Sequence, residues 1–217
     1  MLKDMFYMYL DRSDFFIELT LQHLSISFIS IFISSSIGIF LGILISYYKK
    51  YASLAMSSVN FIYTIPSISL LGFLIPLSGI GNTSAIIALS IYGLLPIIRS
   101  TYTGINGIDP FIIESAKGMG STNFQILYKV KIPLASTVIL SGFRNAVVMT
   151  IALCGISSFI GAGGLGVAIY RGITTNNTTL TLCGSLLIAI LASCTDLLIG
   201  FFENLLKKKW RLSWKRF

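Results

Sequence analysis

Four long stretches of this chain contain no Asp, Glu, Lys or Arg. They cover residues 19–48, 51–98, 145–170 and 172–195. A helix that crosses a bilayer needs about 20 predominantly apolar residues, so each stretch is long enough for one or two crossings. Charged residues make up only 11% of the chain, against about 25% of an ordinary soluble domain. The chain is therefore predicted to be an integral membrane protein.

The apolar stretches and their flanking residues predict an all-α fold with about five membrane helices. Pro66 and Pro76 should bend or end the second helix, and Pro96 should kink the third. The turn "SGIGN" should reverse the chain between these two helices. The predicted helices cover about residues 19–47, 53–76, 84–103, 134–158 and 179–204.

The basic residues are unevenly distributed between the two sides of this predicted bundle. One side carries Lys49, Lys50, Lys117, Lys129, Lys131 and the basic residues from Lys207 to Arg216, and the other carries Lys3, Arg12 and Arg171. Positive loops face the cytoplasm, which places the N-terminus outside and the C-terminus inside. A net charge of +8 can indicate a nucleic-acid partner in a soluble chain. Here the basic residues lie in short loops and a tail, so we expect anionic lipid headgroups to be their partners and no nucleic acid.

This pattern divides the chain into three parts. Residues 1–18 are expected to form an extracytoplasmic segment, residues 19–206 the membrane domain, and residues 207–217 a basic cytoplasmic tail. The N-terminal residues lack the cleavage pattern of a removable signal peptide. The chain is thus predicted to be a multi-pass protein of the cell membrane, with cytoplasmic helices at about residues 109–132.

The most polar long stretch between the first and last apolar runs is "GIDPFIIESAKGMGSTNFQILYKVKIPLA", residues 107–135; we call it the polar segment. Asp109 followed by Pro110 predicts a capped helix start. That helix should run to about Lys117, where Gly118 and Gly120 break it.

A second short helix is predicted to follow at residues 123–131. Thr122 and Gln125 have the spacing of a capping box, in which each side chain binds the backbone N–H of the other residue. Pro133 should stop this helix. The polar segment is thus predicted to form two short helices, joined by glycines, outside the bilayer.

The residues expected on the surface of the polar segment combine a carboxylate with small and apolar side chains. They are Glu114, Ser115, Ala116, Gly118, Gly120, Phe111, Ile112 and Met119. Small residues allow another backbone to approach closely, and apolar ones can fill a groove of a partner protein. An amphipathic loop lying on the membrane surface has the same composition, so chemistry alone leaves both interpretations open.

The same residues resemble the cytoplasmic signature of binding-protein-dependent ABC importer permeases: Glu-Ala-Ala, three residues, Gly, nine residues, Ile-x-Leu-Pro. Four positions coincide with that signature, namely Glu114, Ala116, Gly120 and Pro133. Three positions differ by small or conservative changes, since Ser115 replaces Ala, Val130 replaces Ile, and Ile132 replaces Leu. Further stretches, "YTIPSISLLGFLIPLSGIG", "YGLLPIIRSTYTGI" and "FIGAGGLG", are similar to permeases for quaternary-amine osmoprotectants such as glycine betaine, carnitine and choline.

The resemblance implies a bacterial MetI-like membrane domain and a role for the polar segment. In that family the segment docks into a cytoplasmic ATPase and couples nucleotide-driven closure to alternating access. It implies three kinds of protein partner: ATP-binding subunits, a second permease subunit that is identical or homologous, and an extracytoplasmic solute-binding protein. The coupling residues carried over are Glu114, Ser115, Ala116, Gly118, Met119, Gly120, Ile132 and Pro133. The chain itself is expected to be non-catalytic and to need no cofactor or metal.

Other functions have less support in the sequence. An autonomous channel or a secondary transporter is the main alternative, followed by a membrane scaffold and by an importer for another solute such as an amino acid. Coupled carriers usually show intramembrane carboxylates, and Asp196 is the one candidate well inside a predicted span. "GAGGLG" fits a dinucleotide-binding spacing but lacks the strand and soluble βαβ unit that such a site requires. Six tyrosines could form a cage for a quaternary ammonium group, but most lie near helix ends, which favours an interfacial belt. They are Tyr47, Tyr48, Tyr51, Tyr63, Tyr92 and Tyr102.

Arg144 and Asp196 are opposite charges within predicted spans four and five. Each lies about ten residues, or roughly 15 Å, from the predicted cytoplasmic face. An isolated charge at that depth is unfavourable. The two side chains are therefore expected either to pair across the helices or to line a hydrated path.

Overall fold

The computed structural model describes residues 2–214, and this part of the chain folds into helices and turns with no strand. Ten α-helices follow one another, numbered α1 to α10, with a π-helical stretch and a 3-10 stretch between some of them. Their bounds are α1 Leu2–Asp11, α2 Ser13–Tyr47, α3 Lys49–Thr64, α4 Ser67–Ser78, α5 Asn82–Asn106, α6 Pro110–Gly118, α7 Asn123–Gln125, α8 Ile132–Cys154, α9 Gly166–Thr174 and α10 Thr178–Trp214. The π-helical stretch covers Ile126–Lys131 and the 3-10 stretch Ile156–Ile160.

Four helical stretches are long and apolar enough to cross a membrane, and the number is five if a bent pair counts as one broken span. The four are α2, α5, the continuous helix Asn123–Cys154, and α10; the broken pair is α3 with α4. The prediction of an all-α fold with about five spans is confirmed. The first membrane-crossing helix, α2, begins at Ser13 rather than near residue 19, and Asp14 and Glu18 are exposed in its first turns. Carboxylates there interact favourably with the helix dipole.

Proline and glycine residues shape the ends of α3 and α4 and the turn into α5. Pro66 disfavours helical geometry at the preceding residue, and Ile65 is extended with φ −67° and ψ 126°. The two helices on either side bend by 94°. Pro76 is tolerated inside α4, which ends two residues later at Ser78. Gly79 then takes a positive φ of 81° and starts the turn into α5.

Small residues bring α2 against α5 and α8 at the centre of the bundle. On α2 the buried positions repeat every four residues, the spacing that lets membrane helices approach closely. A Cβ atom added to Gly38 would lie 2.9 Å from Cγ2 of Ile97, and one added to Gly42 would lie 3.2 Å from the carbonyl oxygen of Ile98. The repeating positions are Ser30, Ser34, Gly38, Gly42 and Ser46.

The N-terminal helix α1 packs against the beginning of α10. Met5 lies in one buried cluster with Phe16, Leu165 and Cys183, and the Tyr9 hydroxyl donates a hydrogen bond of 2.8 Å to the Cys183 carbonyl. Desolvation by these neighbours raises the pKa of the Tyr9 phenol to about 12. The predicted division at residues 1–18, 19–206 and 207–217 stays a prediction, although α10 continues through Trp214 and the last three residues of the predicted tail lie outside the described residues.

Candidate functional site

The polar segment begins with a capped helix, as its sequence predicts. Oδ1 of Asp109 accepts a hydrogen bond of 2.9 Å from the Phe111 N–H, and Pro110 occupies the first turn of α6. The helix ends at Gly118. Its last turn closes with two bonds: the Ser121 N–H donates to the Ala116 carbonyl at 3.1 Å, and the Gly120 N–H donates to the Lys117 carbonyl at 2.9 Å.

This pair of bonds is a Schellman motif, which needs a left-handed residue just beyond the helix. Gly120 supplies that residue with a φ of 80°. Any other residue except Asn would be strained there. The glycine therefore determines the direction in which the chain leaves α6.

The capping box at the next helix start is confirmed. The Thr122 N–H donates to Oε1 of Gln125 at 2.8 Å, and the Gln125 N–H donates to Oγ1 of Thr122 at 3.3 Å. The prediction that Pro133 stops this helix is wrong, because Asn123–Cys154 runs as one helix. The π-helical stretch Ile126–Lys131 lies directly before the proline. Its wider turn places Pro133 in the first turn of α8, where a missing N–H is tolerated.

Large apolar side chains stand exposed along the polar segment. Phe111 is 74% exposed and Met119 80%, and on the helix that begins at the capping box Phe124 is 71% and Tyr128 67% exposed. The rings of Phe124 and Tyr128 stack with centroids 6.5 Å apart. These two aromatics were not among the predicted surface residues, although their spacing of four residues places them on one helix face. Exposed apolar surface next to polar and small residues is typical of a protein-binding surface.

A second polar site joins α8 to α10 inside the bundle. The Arg144 guanidinium donates two hydrogen bonds to Asp196, each 2.6 Å long: Nε to Oδ1 and Nη2 to Oδ2. This fork-to-fork arrangement is the strongest geometry for such a pair. Both side chains are only about one-third exposed, at 31% and 37%.

Glu203 and Lys207 extend this pair into a four-residue cluster. Nη1 of Arg144 also donates to Oε2 of Glu203 at 3.3 Å, and Nζ of Lys207 donates to Oε1 of Glu203 at 2.6 Å. Glu203 is buried, so its carboxylate depends on these two donors. Sequence reasoning missed both residues; spacings of seven and four on one helix could have shown that they share a face with Asp196.

Gly200 makes room for the charge cluster. A Cβ atom added there would lie 2.9 Å from both Cζ and Nη1 of Arg144. The guanidinium therefore lies directly against the backbone of α10, between Asp196 and Glu203. The cluster contains two cations and two anions, so it carries no net charge into the bundle.

Comparison with known proteins places these features in a family. The family model for the binding-protein-dependent transport system inner membrane component matches residues 19–211. The chain belongs to this family. It is 42% identical over 192 residues to the glycine betaine/carnitine/choline transport system permease protein OpuCD of Bacillus subtilis, which covers 87% of this chain and 84% of that protein.

A second relative and a solved structure agree with this family assignment. The carnitine transport permease protein OpuCB of Listeria monocytogenes is 40% identical over 190 residues, covering 88% of this chain and 87% of that protein. The inward-facing MetNI methionine ABC transporter contains a chain that is 25% identical, with a TM-score of 0.80 over 88% of this chain and 95% of that one. The protein is thus a bacterial membrane permease subunit of an ABC importer.

Within this permease, the predicted coupling residues differ in how exposed they are. Glu114, Ser115 and Gly118 are exposed on α6, and Met119 and Gly120 are exposed in the turn after it. Ala116 is buried, contrary to the expectation that it contributes to the surface, because its position on α6 faces the rest of the chain. The two remaining residues, Ile132 and Pro133, are half-buried at the start of α8.

The glycine-rich stretch "GAGGLG" of the permease forms a tight turn. Gly161 and Gly164 have positive φ values of 76° and 96°. The backbone N–H of Gly163 donates to Oδ1 of Asn82 at 2.8 Å, and that of Gly164 donates to Oε1 of Gln22 at 3.2 Å. These donors bind side chains of α5 and α2, and α9 rather than a βαβ unit follows the turn.

Proposed function

We propose that this permease subunit carries a quaternary-amine osmoprotectant, of the glycine betaine, carnitine or choline class, into the cell. The sequence similarity to OpuCD carries this proposal, because it extends over most of both chains. Other relatives are named for transport of the same chemical class, including the choline transport system permease protein OpuBD of Bacillus subtilis. The substrates share a small cationic trimethylammonium group.

The exposed surface of the polar segment is the proposed docking site for ATP-binding subunits. Glu114, Gly118 and Met119 lie on or next to the exposed side of α6, and Phe124 and Tyr128 extend this surface along the next helix. In this proposal the chain itself hydrolyses no ATP. The polar segment lies in the cytoplasm, with the N-terminus of the chain outside, in keeping with the basic residues at Lys117, Lys129 and Lys131.

The geometry suggests how docking is transmitted into the membrane. The helix that carries Phe124 and Tyr128 continues without a break as far as Cys154. A displacement at the docking surface therefore reaches Arg144 through one rigid element. Arg144 is bound to Asp196 and Glu203, so α10 follows α8. Together these helices would alternate the access of a central path from one side of the membrane to the other.

Two further partners complete the proposed transporter. A second permease chain, identical or homologous, encloses the path, and a solute-binding protein delivers the substrate from outside. A structural neighbour with 17% identity was solved as an alginate ABC transporter with its substrate-bound periplasmic protein; that likeness shows the fold alone.

Uptake by the natural host tests this proposal. Cells whose copy of the permease gene is deleted should lose ATP-dependent uptake of radiolabelled glycine betaine, carnitine or choline, and the restored gene should recover it. Unchanged uptake of all three compounds in the deleted strain, with loss of uptake of methionine or histidine, would point to an amino-acid importer. Transport by the purified chain alone, in liposomes without ATP, would instead establish a channel or secondary transporter.

A further inference from the structure

The break between α3 and α4 lies near the middle of the membrane span. The Tyr92 hydroxyl donates a hydrogen bond to the Ile65 carbonyl at this break. Tyr92 lies ten residues from the start of α5 at Asn82 and fourteen from its end at Asn106. At 1.5 Å per residue, these separations are about 15 Å and 21 Å. The non-helical backbone at Ile65 and Pro66 is therefore at the depth of the hydrocarbon core.

This broken backbone is only partly covered by the rest of the chain. Thr64 and Pro66 are exposed, and Ile65 is half-buried. Lipid cannot hydrogen-bond the peptide groups that a broken helix leaves free, so irregular backbone at this depth occurs only against protein or along a hydrated cavity. In secondary transporters, broken helices commonly form substrate sites for this reason. The exposed side of the break therefore faces the interior of the assembled transporter.

A pair of tyrosines marks the same place. The rings of Tyr63 and Tyr92 meet edge to face, with centroids 5.8 Å apart and planes at 68°. Tyr92 is buried, whereas Tyr63 is 42% exposed. The Tyr63 hydroxyl donates to Sδ of Met149 at 3.3 Å. Two partners on α5 and α8 thus hold the Tyr63 ring in place while part of it stays open.

Tyr63 and Tyr92 lie deeper in the membrane than the tyrosines near its predicted surface. Tyr47, Tyr48 and Tyr51 surround the junction of α2 and α3 beside Lys50, where aromatic residues usually form an interfacial belt. An interfacial belt cannot account for Tyr92, which is buried at the middle of α5. Aromatic faces at mid-membrane depth are instead suited to a cation, which the ring quadrupole attracts when water is excluded.

We propose that Tyr63, supported by Tyr92 and Met149, forms a contact site for the quaternary ammonium group of the substrate within the translocation path. This inference rests on the proposed substrate class. The Tyr63 ring binds the cation through its face, and Tyr92 and Met149 position that ring. The substrate binds this site more briefly and more weakly than it binds a solute-binding protein, since a transported solute has to leave the site.

The test measures uptake of radiolabelled choline by host cells that carry variants of the chromosomal permease gene. A series at position 63 runs from Tyr63→Phe to phenylalanines with one, two and three ring fluorines, which progressively weaken the negative face of the ring at nearly constant shape. Tyr63→Leu removes the ring, and Tyr63→Trp replaces it with a stronger one. Tyr51→Leu makes the same change on α3 near its other end, and immunoblots of membranes normalise uptake to the amount of permease.

We expect uptake per permease to fall stepwise along the fluorinated series and in Tyr63→Leu, by roughly 2- to 30-fold, the range that cation–π energies imply. Tyr63→Trp and Tyr51→Leu should transport at rates close to Tyr63→Phe. A flat fluorinated series in cells that do take up choline would overturn the site alone. If cells with the natural permease take up none of the three quaternary amines, the proposed substrate class fails and the cation site fails with it.

Discussion

Substitution of Gly118 separates a docking role of the polar segment from a structural one. This glycine is the last residue of α6, and a Cβ atom added to it meets nothing within 4 Å in this chain. Its φ is not in the left-handed region, in contrast to Gly120 at 80°. Replacing a helical glycine by alanine stabilises a helix by about 0.5–1 kcal/mol. The isolated permease should therefore tolerate Gly118→Ala, and Gly118→Leu has free space for its side chain.

A docked ATPase changes this expectation. If the partner approaches α6 closely enough to make use of the missing side chain, a leucine at position 118 overfills the interface. Overpacking of a well-packed site costs about 1–3 kcal/mol, and each 1.4 kcal/mol is a factor of about ten in affinity. The ATPase should therefore bind Gly118→Leu roughly 5- to 150-fold more weakly than it binds the natural permease. Its affinity for Gly118→Ala should lie between those for the natural permease and Gly118→Leu. Gly120 is less informative, because any side chain there also strains the turn.

The assay is co-purification of the ATPase with tagged permease from membranes, titrated with free ATPase, beside uptake in cells. Gly72→Leu is the matched control, since Gly72 lies in α4, away from the polar segment, and also has open space around it. Both variants should reach the membrane in normal amounts. Binding of the ATPase to Gly118→Leu with the natural affinity would refute the docking argument.

The remaining predictions concern the interior of the bundle. Arg144→Asp and Asp196→Arg should each impair transport or membrane accumulation, and the double variant should restore part of the loss; absence of any rescue, together with normal transport by Asp196→Asn, would remove the pair from the mechanism. Gly200→Leu should lower uptake, as Asp196→Asn should, because the leucine side chain displaces the Arg144 guanidinium; normal uptake by Gly200→Leu would contradict this. Gly142→Val should destabilise the permease by about 1–3 kcal/mol, seen as earlier thermal aggregation in detergent, because its Cβ would lie 2.8 Å from the Pro96 carbonyl oxygen; unchanged thermal stability would count against the close packing of α5 on α8.

Features that depend on local chemistry could be predicted from the sequence. Apolar runs without charge predicted the spans, and Asp109 and Thr122 predicted helix starts whose hydrogen bonds the structure contains. Each of these signals lies within a few residues of the feature that it causes. The 94° bend also follows from Pro66 and its effect on the residue before it.

Features that depend on neighbouring turns or distant helices could not be predicted in the same way. Pro133 would stop an ordinary helix, but the π-helical stretch before it carries the chain through. A single extra residue in a turn leaves no compositional signal. Glu203 lies at the end of the predicted fifth span and eleven residues before the end of α10, and only the position of Arg144 on another helix shows that it is buried and paired.

The way in which α8 is attached on its two sides indicates how docking could move only part of the bundle. Toward α5, the attachment depends on backbone proximity at Gly104 and Gly142, where an added Cβ would lie 3.1 Å from Val138 Cβ and 2.8 Å from the Pro96 carbonyl oxygen respectively. Among the described residues these are van der Waals contacts, which resist separation of the two helices but supply no hydrogen bond that fixes their register. Toward α10, forked hydrogen bonds from Arg144 do fix the register. A pull on α8 should therefore carry α10 with it and shift both against α5, the helix that also holds Tyr92 at the break of α3 and α4.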